Sequence, residues 1–299
     1  MASMASIRDN QFVELSNGTR LHYASAGEPG KPLILFLHGF PEFWFAWQAQ
    51  LEEFGKDFYA VAPDMRGFNL SSMPNEVGAY KARHIIDDLR LFTEQLGYAN
   101  FNLVSHDWGG AIAWNFAIAL PQLINKLIIV NSPHPYVFMQ ALLHDPAQAK
   151  ASGYMNWLRS EGAETALAKD DFALMDGFFN GMGQPKAKWY TAELREKYHA
   201  CWAHGLTGGL NYYRASPLHP PTEGHAGPLK LDLKPEDFRI KVPTRIIWGE
   251  NDMALPKSLL NGIEDVIDDV RIVRIPEGTH WVVHEQPERV NQLLREFLG

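Results

Sequence analysis

Asp107 stands at the centre of Asn102-Leu-Val-Ser-His-Asp-Trp-Gly-Gly110, where an apolar, β-prone run passes through one carboxylate into the helical pattern Gly110-Ala-Ile-Ala-Trp-Asn-Phe-Ala-Ile-Ala-Leu120. A sharp strand-to-helix turn of this kind lifts one side chain off the top of a sheet and needs small neighbours. Ser105 lies two residues before the aspartate, and Gly109 and Gly110 lie two and three after it. A carboxylate in the nucleophile position attacks saturated or strained carbon and leaves an alkyl ester, whereas an acyl substrate would convert it to an anhydride of little use.

Two later loops carry the groups that such an ester needs for its hydrolysis. They are Gly249-Glu-Asn-Asp-Met253 and Gly278-Thr-His-Trp281, each following a β-prone run. With Asp107 they give the chain order nucleophile, acid, base. His280, with an ordinary pKa of about 6.5, is the expected general base. Asp252 would orient it and stabilise its imidazolium. Glu250 competes for the same task two residues away, and Asn131 is an amide that cannot perform it. The tetrahedral intermediate of ester hydrolysis requires hydrogen-bond donors. The backbone N–H groups of Trp108 and of Phe40, in His38-Gly-Phe-Pro41, are the expected oxyanion hole. Structural roles are expected for His106, His134 and His284, and a loop-organising role for Asp64 with Arg66.

Positioning three loops at one edge is what a wound parallel sheet does, because functional groups gather at the C-terminal ends of its strands. Phe12 to Tyr23 alternates around Asn17-Gly18 and reads as a hairpin of two antiparallel edge strands. Leu33-Ile-Leu-Phe-Leu37, Phe58-Tyr-Ala-Val-Ala62 and Lys126-Leu-Ile-Ile-Val130 are continuous apolar runs, the mark of strands buried on both faces. A helix from about Lys81 to Leu96 places Ile85, Leu89, Phe92 and Leu96 on one stripe, and Gly97 stops it. Strand and helix alternate to Val130, which implies a parallel sheet with right-handed crossovers.

That rhythm stops from about Tyr136 to Asp237, where aromatic, helical patterns give way to the Pro- and Gly-rich stretch from Ser216 to Pro228. The reading is a mostly helical cap inserted after the sixth strand. Strands resume at Thr244-Arg-Ile-Ile-Trp-Gly249 and Val270-Arg-Ile-Val-Arg-Ile275, each followed by a helix candidate, the second from Pro287 to Leu298. The expected division is 1–135 for the first part of the core, 136–237 for the cap and 238–299 for the second part.

A chain of 299 residues, 46% hydrophobic and 21% charged, can bury one large core and carry a modest accessory domain. Its formal charge of -8 leaves no basic stripe, which argues against nucleic acid and against anionic membrane surfaces. Cys201 is the single cysteine, so an intramolecular disulfide and a CxxC metal cluster are excluded. The first ten residues contain no apolar signal segment, and nowhere do 18 apolar residues run together. A cytoplasmic monomer or homodimer acting on a small neutral substrate is the expectation.

Over essentially its whole length the sequence resembles the epoxide hydrolase branch of the α/β-hydrolase superfamily. The resemblance is carried by His38-Gly-Phe-Pro41, Asp64-Met-Arg-Gly67, Ser105-His-Asp-Trp-Gly-Gly110, Asn131-Ser-Pro-His-Pro135, Asp252, Gly278-Thr-His-Trp281 and Glu285-Gln-Pro287. It implies an α/β-hydrolase fold, with a mostly parallel eight-stranded sheet flanked by helices and a helical cap. It also implies two cap tyrosines that donate to the epoxide oxygen. Tyr213, in Leu210-Asn-Tyr-Tyr-Arg214, and Tyr154, in Ala151-Ser-Gly-Tyr-Met-Asn-Trp157, look like that pair. Ring opening releases an alkoxide, which a phenolic O–H can stabilise or protonate. No metal or organic cofactor is implied; the partners are a small apolar epoxide and water, and the product is a vicinal diol.

Haloalkane and haloacid dehalogenases share the scaffold and the aspartate. They must solvate a halide, for which Trp108 and a cap tryptophan such as Trp157, the expected substrate contact, would serve. A ligand-binding protein that retains the pocket without turnover is the alternative of another class, but it has no need of Asp252 and His280 in order.

Overall fold

The fold is described from a computed structural model, which covers residues 5–181, 187–231 and 233–299. Among these, eight strands form one sheet: β1 (Ile7–Glu14), β2 (Arg20–Ala26), β3 (Leu33–Leu37), β4 (Tyr59–Pro63), β5 (Phe101–His106), β6 (Ile124–Val130), β7 (Thr244–Gly249) and β8 (Val270–Ile275), in the order β1-β2-β4-β3-β5-β6-β7-β8. β1, β2 and β4 pair antiparallel; every other pairing is parallel. The apolar runs become the sheet's interior, and β3, β4, β5 and β7 are buried along their whole length. Such strands lie in a sheet covered on both faces.

The core helices are α1 (Gln48–Phe54), α2 (Ala82–Gln95) and α3 (Asp107–Ala119), with α4 (Pro135–His144), α5 (Pro146–Ala151), α6 (Gly153–Leu158), α7 (Ala163–Gly181), α8 (Ala192–Trp202) and α9 (Thr207–Ala215) following as an insert between β6 and β7. The chain closes with α10 (Val282–Glu285) and α11 (Pro287–Leu298). α2 buries Ile85, Leu89 and Phe92, and α11 buries Val290, Leu293, Leu294 and Phe297, the stripes that their periodicities predict. α7 is interrupted at Lys169–Phe172, where three consecutive residues take left-handed backbone angles.

Two expectations are corrected. β1 is an edge strand, but β2 is not: it pairs with β4 as well as β1, so its hydrogen bonds are used on both sides. No α-helix follows β7; the chain passes there through 3-10 turns at Lys257–Leu260 and Ile263–Asp265. The acid loop needs its backbone N–H groups for Asp252, as described below, and a short irregular connection leaves them free to point at it. The stretch from Ser216 to Pro228 divides into two parts. Its first residues, Ser216 to Leu218, line a cavity, whereas Glu223 to His225 are exposed around a small bridge between Thr222 and His225.

Candidate active site

The site is built on one backbone irregularity. His106 is still extended, and Asp107, the next residue, has a φ of 50° and already opens α3. A non-glycine residue in the left-handed region is strained, and close packing holds it there. A methyl group on Gly109 would lie 2.4 Å from the Leu37 carbonyl oxygen, and one on Gly39 would lie 2.2 Å from Asp107 Oδ1. Ser132, from the loop after β6, donates its Oγ–H to the Asp107 carbonyl at 2.7 Å. The elbow is therefore clamped from both neighbouring strands.

The two oxygens of Asp107 have different surroundings. Oδ1 accepts from the Phe40 N–H at 2.7 Å, and the Trp108 N–H also bonds the carboxylate. Oδ2 is 3.6 Å from His280 Nε2. Burial alone would raise the pKa of Asp107, but the contact with His280, then His106 and the Trp108 N–H, outweigh it and hold the carboxyl below its ordinary range. The two amides expected to form an oxyanion hole thus both bond the Asp107 carboxylate.

His280 Nδ1 lies 2.7 Å from Asp252 Oδ2. Burial disfavours the imidazolium, yet the Asp252 and Asp107 carboxylates on its two sides push its pKa up to about 10. Asp252 is saturated: Oδ1 accepts from the N–H groups of Ala254 and Leu255, both at 2.9 Å, and Oδ2 accepts also from Asn131 Nδ2 at 2.8 Å. Asn131 is itself fixed, because its Oδ1 accepts from the Gly249 N–H at 2.8 Å. The amide that cannot be the acid is the residue that holds the acid. Glu250 instead faces Arg274 and Lys257 at the surface, away from His280.

Behind the imidazole lies a buried cluster not anticipated from the sequence. His106 Nε2–H donates to the His280 carbonyl at 2.8 Å, and its Nδ1 meets Glu42 Oε2 at 3.1 Å. Glu42 also takes the Tyr198 hydroxyl at 3.0 Å and contacts His284 Nε2. Burial would raise the Glu42 pKa, but His284 and His106 reverse that and hold it far below the usual carboxylate range. The signal was the glutamate directly after His38-Gly-Phe-Pro41, but its partners lie far along the chain. His38 donates from Nδ1 to the Gly39 carbonyl and accepts from the Met65 N–H at Nε2, which ties the Phe40 loop to that of Asp64. His134 bonds the Phe238 carbonyl. Asp64 takes the Trp44 N–H and His22, and Arg66 pairs with Asp88.

Above Asp107 opens a cavity of about 560 Å³. Asp107, Trp108 and Tyr154 line it, with Phe138, Met155, Leu218, Phe238 and Leu255 among its apolar walls. Tyr213 packs edge-on against Trp108, Phe40 and Tyr154, with ring centroids 4.9, 5.5 and 6.3 Å away. Burial first, and then the charge of Asp107 at Tyr154 and the neighbouring Tyr154 and Asp107 at Tyr213, raise both phenols above their ordinary pKa, so each keeps its proton at neutral pH. Arg159 fixes Tyr213 from behind by donating to its carbonyl and to that of Ser216. Trp157 is a correction. Its side of α6 faces outward, it is 41% exposed, and it does not line the cavity, so the expected substrate contact is not made.

A carboxylate at a strand-to-helix turn, with a buried histidine between it and a second, hydrogen-bonded carboxylate, lies beneath an inserted helical layer, as in the α/β-hydrolase class. The profile of the alpha/beta hydrolase fold family matches residues 32–287. Epoxide hydrolase 4 of Mus musculus is 35% identical over 290 residues, 94% of this chain and 77% of that protein. A mutant epoxide hydrolase from Bacillus megaterium, solved with its naphthyloxy-propane-1,2-diol product, superposes with a TM-score of 0.87 at 36% identity, covering 96% of this chain and 99% of that one. An epoxide hydrolase from metagenomes of hot environments gives 0.86 at 38% identity, covering 97% and 98%. The chain belongs to the epoxide hydrolase family of the α/β-hydrolase fold. Among the described residues, no helix is long and apolar enough to cross a membrane.

Proposed function

We propose that this protein opens small apolar epoxides to vicinal diols through an alkyl ester on Asp107. The observation that carries the reading is the asymmetry of that carboxylate: Oδ1 is held by the Phe40 N–H, and Oδ2 faces His280. Oδ2 attacks the less hindered epoxide carbon, the C–O bond breaks, and the alkoxide takes a proton from Tyr154 or Tyr213. Oδ1 becomes the ester carbonyl oxygen, already seated where its oxyanion will form.

The high pKa of His280 then serves the second step. In the free protein it is an imidazolium between two carboxylates. Alkylation removes the negative charge of Asp107, so His280 loses one of the groups that hold its proton, and that proton restores the one the phenol gave away. Neutral His280, still oriented by Asp252, accepts a proton from water as the water attacks the Asp107 carboxyl carbon. Collapse of the intermediate expels the alkoxide, which takes the remaining water proton from the Asp107 carboxyl to complete the diol, and the starting ion pair is regenerated. Helices of the insert, taken as residues 136–237, act as the cap that encloses the ring.

Dehalogenation by the same nucleophile is the second reading, and Trp108 on the cavity wall is what favours it. Intact mass of a His280→Gln variant separates the two. After exposure to epoxides, haloalkanes and haloacids, it should gain the mass of a whole epoxide, and Asp107→Asn should gain nothing. A gain equal to substrate minus hydrogen halide would make the protein a dehalogenase; no adduct from any of the three classes would leave a binding protein.

A further inference from the structure

Glutamine is mostly a surface residue, yet Gln148 in the short helix α5 is fully buried. Its two amide hydrogens serve two different parts of the site. Nε2 donates to Ser152 Oγ at 2.8 Å and to the Ala254 carbonyl at 3.2 Å. Ser152, also fully buried, returns its N–H to the Gln148 carbonyl at 2.9 Å and is the N-cap residue just before α6, two before Tyr154. Ala254 is one of the two residues whose N–H groups hold Asp252 Oδ1. One planar amide therefore bridges the segment that carries the phenol and the loop that carries the acid.

We infer that Gln148 is a positioning residue for both steps: it sets Tyr154 and the Asp252–His280 pair at a fixed spacing over Asp107 without touching the substrate. The inference rests on the reading of the reaction given above. A primary amide holds its two N–H bonds in one plane at a fixed angle, so its acceptors cannot drift apart independently. Displacements of about 1 Å at a reacting centre can change rates by about 10²-fold. Asparagine is one methylene too short to span the same two acceptors. Methionine matches the length and shape but donates nothing. Because Gln148 Oε1 has no partner among the described residues, Gln148→Met deletes the two donated bonds and little else.

The test is rapid-mixing kinetics with an epoxide, which reads ester formation and ester hydrolysis separately. Gln148→Met should slow both steps about tenfold and leave the thermal midpoint near that of the parent. Its effect on ester formation should vanish in a Tyr154→Phe background, and its effect on hydrolysis should vanish in an Asp252→Asn background. Ser152→Ala, which cuts only the arm to α6, should slow ester formation alone. Parental rates in Gln148→Met, or losses that simply add in the double variants, would overturn the inference. Should Gln148→Met fail to fold, Ser152→Ala decides: selective slowing of ester formation supports the inference, and equal slowing of both steps, or none, overturns it. Failure of the underlying reading has a different signature, in which Tyr154→Phe and Asp252→Asn alone leave both rates at parental values.

Discussion

His280 and Glu42 are buried ionisable residues whose surroundings displace them in opposite directions, and each displacement is also a statement about stability. His280 is raised from about 6.5 to about 10, so the stabilisation it contributes is complete below its unfolded value and is lost as pH rises through the folded one. The stability difference between the parent and His280→Gln, measured by chemical denaturation, should shrink between roughly pH 6.5 and 10. Glu42 is lowered, so its contribution is present above the unfolded glutamate value of about 4.3 and declines as pH falls below it. Thermal midpoints of the parent and Glu42→Gln should accordingly converge under acid conditions; a difference that grows instead would mean that Glu42 is protonated in the native protein. That Asp107, Asp252 and His280 adjoin was readable from their loops, because each follows the C-terminal end of a strand in one sheet. Glu42 and Gln148 were not, because their partners are separated from them by as many as 242 and 106 positions.

The elements place these residues by close approach. β5 and α3 meet at a single left-handed residue, and the adjoining loop packs so tightly that Gly109 has no room for a methyl group. Gly109→Ala should cost about 1–3 kcal/mol of stability, as overpacking does. It should also displace the Phe40 N–H from Asp107 Oδ1, which would appear as a loss of ester-hydrolysis rate larger than the loss of substrate affinity. Urea titration and single-turnover kinetics check the two parts. A variant with parental stability and kinetics would show that the Leu37 carbonyl can withdraw. The strands and the amphipathic helices were legible because their patterns record which faces are buried. The absence of a helix after β7 was not, since Asp252 draws the local N–H groups to itself and outweighs a weak helical pattern.

Across the whole molecule, the cavity joins core and insert: Asp107 and Trp108 come from the core, Tyr154, Met155 and Leu218 from between β6 and β7. Its walls are mainly apolar, so substrate choice should follow shape more than charge. Leu218→Trp, which fills part of the volume, should raise KM for a bulky aryl epoxide about tenfold and leave a small aliphatic epoxide within about threefold. Steady-state kinetics on the pair would show this, and equal effects on both would place Leu218 away from the bound ring.

The sequence alone determined the wound sheet, the strand-to-helix turn at Asp107 and the strand-end loops that carry Asp252 and His280. Each is a local pattern: an alternation, an apolar run, a glycine where the turn is tight, a motif within a few residues. Tertiary structure alone decided which oxygen of Asp107 faces His280, that Asn131 holds Asp252, that Trp157 faces outward and that Gln148 bridges two loops. Those facts depend on which side chains meet across the fold, and a hydrogen bond between distant residues leaves no periodic trace in the chain that makes it.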